Sequence, residues 1–241
     1  MTRNKKKLKT SNLKLVIIFR LLALVCLCHP GILRAAETAV AVPVYEEPRH
    51  RLVFDKSPVK VMNVNIPPGD VSEFHFHEDP TLYIAISGAL MRSQDLGKDW
   101  GDADPNARHS TGAFVFRNYR LAPQSHRVEN LDQVSFRLVG IVHRGRGTPV
   151  SDPDAGAGID NDWFYGRRFT LAPDGSTGEH LHNHPVIVVQ VSDGNSNVVV
   201  QGVHAAEKTV IGNWSWHEAG VPHVLENTGT MDAELVEVEI R

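Results

Sequence analysis

One residue pattern occurs twice in this chain, in the same order. The first copy is His75-Phe76-His77-Glu78-Asp79-Pro80, followed at a distance by His126 and Asn130. The second is His180-Leu181-His182-Asn183-His184-Pro185, followed by His223 and Asn227. The paired His are offset by 105 residues between copies, and the distant His and Asn by 97. Two such matches in one order mark a duplicated domain, so the chain must fold as one small unit made twice. The copies align beyond the His as well. Asn130 to Val139 runs without a gap onto Asn227 to Val236, each a turn that enters a last strand.

The rest of the chain is punctuated by Gly, Pro, Asn and Asp between short β-type runs. Val61 to Ile66, Leu82 to Ser87, Ala113 to Arg117 and Val134 to Ile141 are strands of the first half. Val186 to Val191, Val198 to Val203 and Ala233 to Ile240 are strands of the second. Val134, Phe136 and Leu138 alternate with polar positions and set a buried face. No segment has a long helical period, so the fold class is all-β, a sandwich or barrel in each half. Residues 146–162, rich in Gly, Pro and Asp, read as a linker between domains at 42–145 and 163–241. Met91 to Ser110 is a long polar loop of the first copy, either a lid or, the favoured reading, a solvated insertion.

Residues two apart on a strand share a face. His75 and His77 therefore aim together into a barrel, as do His180 and His182, and His126 or His223 completes each set. Three neutral imidazoles suit a divalent transition metal (Fe, Mn, Ni, Cu or Zn) and leave coordination positions open. Calcium and magnesium want oxygen ligands instead. Asp79 and His184 have the parity of a further ligand, or of a group that orients one. Glu73, Asp79 and His217 are the candidates for a general base. His50, His109, His143 and His204 fit no pattern and read as surface or structural residues. Asn130 and Asn227 read as holders of the turn before the last strand.

At these residues the chain resembles the cupin superfamily. The first motif of that family has a Gly, an H-x-H pair, a Glu and a second Gly; Gly69, His75, His77 and Gly88 match it, as do His180, His182 and Gly194. Gly212, Gly220, His223 and Asn227 match the second motif, and His126 and Asn130 match part of it. The resemblance covers roughly residues 45–241 and implies two tandem jelly-roll β-barrels, a bicupin. It departs at one point. Thr81 and Ile187 stand where the family places a metal-binding Glu, and Asp174 replaces the first Gly in the second half. That departure implies a three-His site in each half, like the ligand set of thiol dioxygenases among cupins.

The N-terminus has a basic stretch (Arg3, Lys5, Lys6, Lys7, Lys9, Lys14), an apolar run from Leu15 to Cys28 and then small residues. This is the pattern of a secretory signal peptide over residues 1–41, cut after Ala41 or Ala35, and it points to a periplasmic or secreted protein. Both cysteines, Cys26 and Cys28, lie in that stretch, so the exported part has no disulfide and no thiolate ligand. The remainder holds seventeen basic and twenty-seven acidic residues, a net charge of −10. This argues against nucleic acid or an anionic membrane as partner. No Gly-x-Ser-x-Gly, phosphate loop or dinucleotide fingerprint competes with the His sets. The expected function is a metal-dependent enzyme on a small organic molecule, dioxygenase-like or isomerase-like, or else a non-catalytic metal or ligand module. The expected assembly is a monomer with two pseudo-equivalent halves, or a homodimer.

Overall fold

The computed structural model describes residues 39–241. The basic and apolar leader and both cysteines lie outside the described residues. Among the described residues no helix is long and apolar enough to cross a membrane.

The first half contains β1 (Val42–Pro43), β2 (His50–Lys56), β3 (Val59–Ile66), β4 (His75–His77), β5 (Pro80–Ser87), β6 (Met91–Asp95), β7 (Phe114–Asn118), β8 (Gln124–Asn130) and β9 (Phe136–His143). The second contains β10 (Ile159–Asp160), β11 (Phe164–Leu171), β12 (Val186–Gln190), β13 (Ser196–Val200), β14 (Val203–Lys208), β15 (Trp214–His217), β16 (His223–Asn227) and β17 (Ala233–Ile240). In each half a five-stranded sheet faces a smaller one. The first half pairs the order β2-β3-β9-β5-β7 with β1-β4-β8-β6, and the second pairs β10-β11-β17-β12-β15 with β14-β13-β16. This is the two-barrel jelly roll that the motifs imply.

The five-stranded sheets of the two halves share an apolar layer. Val59, Val61, Leu82, Ile84, Ile86, Val139 and Ile141 from the first meet Phe164, Ile187, Val189, Val191, Val236, Val238 and Ile240 from the second. Seven side chains come from each half, and Leu82, Ile84 and Ile86 stand at the offset of 105 from Ile187, Val189 and Val191. The alternate residues of the same strands point into their own barrels: Tyr83 and Ala85 in the first, Val188 in the second. Strands buried on both faces read as continuous apolar runs rather than alternating ones. That is why β5 and β12 are buried almost throughout. At about 1.5–3 kcal/mol for each buried aliphatic side chain, this layer is a main source of stability.

Several local readings change. Val134, expected on the buried face, is exposed, and its strand starts at Phe136. Val198 to Val203 is not one strand. Gln201 and Gly202, with φ of +52° and +75°, turn the chain back between β13 and β14, and glycine takes that left-handed conformation without the Cβ clash. His180 and His182 do not lie on a regular strand; His180 holds one antiparallel bridge to His223. Met91 to Ser110 is not a bare polar loop. It opens with β6, paired to β8 from Met91–Asn130 to Asp95–His126. Arg92 and Arg127 then stack on the Trp100 ring, 4.8 and 4.9 Å from its centre. The stretch 146–162 ends folded onto the second half, where Ile159 and Asp160 pair with Gly166 and Tyr165.

Asn130 and Asn227 have the same partners in the two barrels. Asn130 Nδ2 donates to the Ile66 and Val134 carbonyls, both at 2.8 Å, and its Oδ1 accepts the Asp132 N–H at 2.9 Å. Asn227 Nδ2 donates to Leu171 at 2.8 Å and Met231 at 2.7 Å, and its Oδ1 accepts the Gly229 N–H at 2.9 Å. Each side chain closes the turn before the last strand and ties it to the strand that opens the barrel.

Candidate metal centres

In the first barrel β4 presents His75 and His77 on one face, and β8, antiparallel to it, sets His126 opposite His75. Their donor nitrogens all lie within 4.8 Å of one another. Each ring is oriented from behind. His75 Nδ1–H donates to the Glu73 carbonyl at 2.9 Å, His77 Nδ1 meets the Tyr83 hydroxyl at 3.3 Å, and His126 Nδ1 meets the Ser93 hydroxyl at 3.0 Å. This leaves the three Nε2 atoms to converge. His77 Nε2 faces His126 Nε2 at 3.1 Å, and His75 Nε2 is buried with no hydrogen-bond partner. Burial drives the pKa of His75 down to about 2 and that of His126 down to about 4, and it holds His77 well below the usual range. Three neutral imidazoles aiming lone pairs at one point, one of them orphaned, form a donor set that fits a divalent transition ion.

Above them lies a cavity of about 290 Å³. His50, Tyr119, Arg117 and Gln124 line it, together with Asp104, Ala107 and His109 from the Met91 to Ser110 insertion. Part of the insertion thus walls the pocket, while most of it from Leu96 to Asn106 is exposed to solvent. His50 and His109 are pocket residues, contrary to the sequence expectation. His50 Nδ1 meets the buried Glu47 carboxylate at 2.6 Å, and its ring centre is 4.4 Å from that of His75. Burial opposes ionisation of Glu47, but the hydrogen bonds from His50 and from the Glu73 and Arg49 N–H groups prevail and hold its pKa below normal. His143 is buried beside Phe164 at the shared layer, and His204 lies exposed near Glu226.

Asp79 does not join the cluster. It is paired with Arg120 at 2.9 Å. Thr81, at the family's Glu position, donates its hydroxyl to the Asp79 carbonyl at 2.9 Å, and Ile187 points into the shared layer.

The second barrel gathers His180, His182 and His223, and adds a donor that the sequence reading did not name. Glu237, on β17, lies with all three. His223 Nε2 is 2.7 Å from Glu237 Oε1, and His180 and His182 Nε2 are each 3.3 Å from Oε2. The candidate set is therefore three His and one Glu, one donor more than the three His expected here. The Glu comes from the last strand instead of the motif position. Burial resists its charge, but the three imidazoles overcome that and hold its pKa far below normal. The rings are again oriented from behind: His180 by the Gly178 carbonyl at 3.0 Å, His182 by Glu239 at 3.0 Å and His223 by the Val221 carbonyl at 3.2 Å. His184 sits at Glu239, 3.0 Å away, and so supports the carboxylate that orients His182. The Glu237 and Glu239 carboxylates hold the pKa of His182 up to about 9. His217 stacks on His223, and burial takes its pKa down to about 4. The opening above this centre, about 350 Å³, is lined by Tyr165, Arg167 and Phe169.

Two jelly-roll barrels, each with an inward His set and a shared apolar layer, define a two-domain member of the cupin superfamily, to which this chain belongs. No family model matches the chain. It is 30% identical over 83 residues to the β-alanine degradation protein BauB of Pseudomonas aeruginosa, a match that spans 87% of that protein and 34% of this chain. Among solved structures it is similar to AerE from Microcystis aeruginosa, with a TM-score of 0.56 and 14% identity over 78% of this chain and 90% of that one. It is also similar to the oxalate decarboxylase of Bacillus subtilis, with its Mn(II) centres: TM-score 0.51, 12% identity, 76% of this chain and 69% of that one. The salicylate 1,2-dioxygenase of Pseudaminobacter salicylatoxidans gives 0.52 and 10% over 76% and 71%. At these identities the likeness is one of fold.

Proposed function

We propose that the protein is an exported, metal-dependent bicupin whose first half acts on a small organic molecule, by dioxygenase-like or isomerase-like chemistry, at His75, His77 and His126. The observation that carries this reading is the convergence of three neutral imidazoles, one with an orphaned Nε2, beneath a cavity of about 290 Å³. A divalent ion of Fe, Mn, Ni, Cu or Zn held there supplies Lewis acidity and, if redox-active, a site for dioxygen. The chain does the rest. Glu73, Tyr83 and Ser93 fix the rings, burial excludes water from them, and His50, held by Glu47, faces the bound molecule. Three protein donors leave more room for substrate than the four of the second half, which would close a tetrahedral zinc site but leave open positions on a six-coordinate ion. Export is supported by the basic and apolar leader.

Elemental analysis of untagged protein tests the reading, with His75→Ala and His180→Ala beside the wild type. One or two equivalents of metal, lost site by site in the variants, are expected. No metal after reconstitution would leave a ligand-binding barrel as the better account.

A further inference from the structure

The two halves treat charge at their centres in opposite ways. In the second, Glu237 places a carboxylate among the imidazoles. In the first, the equivalent strand offers Gly140, and all three donors are uncharged as ligands. A divalent ion held there keeps its whole charge.

Arg117 stands over the same centre. It lies on β7 with the parity of Val115, which packs in the barrel interior, whereas Phe114 and Phe116 face the shared layer. Arg117 lines the cavity alongside Tyr83 and Tyr119. No carboxylate among the described residues pairs with it, and its Nη1 donates to the adjacent Phe116 carbonyl at 3.1 Å. The cavity's other guanidinium, Arg92, is neutralised by Glu129. Asp104 is the one acid in the lining, and its carboxylate is occupied in capping a short turn through the Asn106 N–H at 2.9 Å. Arg117 is thus the guanidinium of the lining that has no carboxylate partner, beside apolar walls from Ile66, Met91 and Phe136.

We propose that the first pocket takes a small carboxylate, received by Arg117, which supplies to the first centre the negative charge that Glu237 supplies to the second. This inference rests on the metal reading above. It names the substrate class as a compact acid with an apolar body, since about 290 Å³ is at the low end for a small-molecule site.

The test is calorimetric titration of the Zn(II)-loaded protein with acetate, malonate and benzoate, against acetamide, malonamide and benzamide. Wild type, Arg117→Gln and Arg117→Lys are compared, with zinc assayed on each sample. At least one acid is expected to bind once per chain while its amide does not. Arg117→Gln should weaken that binding about tenfold or more with zinc content unchanged, and Arg117→Lys should recover part of it. His180→Ala should leave the stoichiometry at one. Equal binding of acid and amide, or equal affinity in Arg117→Gln, would overturn the inference. If the wild type retains no zinc, the metal reading fails by itself, and the same titrations still decide. Acid binding abolished by Arg117→Gln supports an anion pocket, and its absence in the wild type refutes one.

Discussion

Glu237 in the second half stands at the register position that Gly140 holds in the first. Gly140 is paired across β9 and β5 with Tyr83, and Glu237 across β17 and β12 with Val188. A large residue opposite none in one barrel becomes a small residue opposite a carboxylate in the other. The volume inside the barrel is shared differently by the same two strands, and one arrangement yields a fourth metal donor.

The exchange can be transplanted. A Cβ on Gly140 would meet Met62 Cε at 2.9 Å and the Tyr83 ring at 3.4 Å. Gly140→Glu alone should therefore destabilise the protein by about 1–3 kcal/mol through overpacking. Combined with Tyr83→Val it should fit, and the first centre should then hold metal more tightly than in wild type. Denaturant unfolding checks the first outcome and competitive metal titration the second.

Acid and alkali should weaken different halves of the metal-free protein. His75 and His126 have folded pKa values depressed from 6.5 to about 2 and about 4, so the unfolded chain binds more protons below 6.5. Stability from the first half is present above 6.5 and lost as pH falls, by about 2–3 kcal/mol per imidazole by about pH 4.5. His182 has its folded pKa raised to about 9. Its contribution is complete below 6.5 and is lost as pH rises from there through 9. Chemical unfolding at about pH 4.5, 6.5 and 9 should show stability falling on both sides of 6.5, with the acid loss smaller in His75→Ala and the alkaline loss smaller in His182→Ala.

Much of this was legible in the sequence, and what was not has a physical cause. The His sets were readable because residues two apart share a strand face, and the duplication repeats the test. Glu237 was hidden because Ala233 to Ile240 looks like an amphipathic strand, with Val236, Val238 and Ile240 inward and the acids in water. The structure buries both faces: the valines in the shared layer, and Leu235 and Glu237 in the barrel. The gap-free alignment held the missing signal, since Leu235 falls on Leu138 and Glu237 on Gly140, interior positions both. His50 was unreadable because its partner, Glu47, lies just before β2 and its neighbour, His75, on another sheet.

The Glu47 carboxylate should be a stability determinant as well as the support of His50. It accepts the Arg49 N–H at 2.8 Å, the Glu73 N–H at 3.0 Å and His50 Nδ1–H at 2.6 Å. Glu47→Ala would leave three donors unmet beneath the cavity, costing about 3 kcal/mol or more. Chemical unfolding of Glu47→Ala against Glu47→Gln measures it, and the Gln variant should lose less.

Neither half should survive alone. A fragment of residues 42–145 or 163–241 would expose seven side chains of the shared layer. Each is expected to aggregate or to remain unfolded, while co-expression of the two restores a soluble pair. Leu82→Ala in the whole chain should cost about 2–5 kcal/mol and lower a single transition seen by probes in both barrels.

The shared layer also divides the molecule into two compartments. Each His set sits inside its own barrel, so a straight path between the pockets crosses both five-stranded sheets and the dry side chains between them, at a sheet spacing of about 10 Å. No molecule passes that way. Whatever leaves the first pocket enters bulk water before it can meet the second. The halves are thus bound mechanically yet separate as compartments, and a substitution inside one pocket need not be answered by the other.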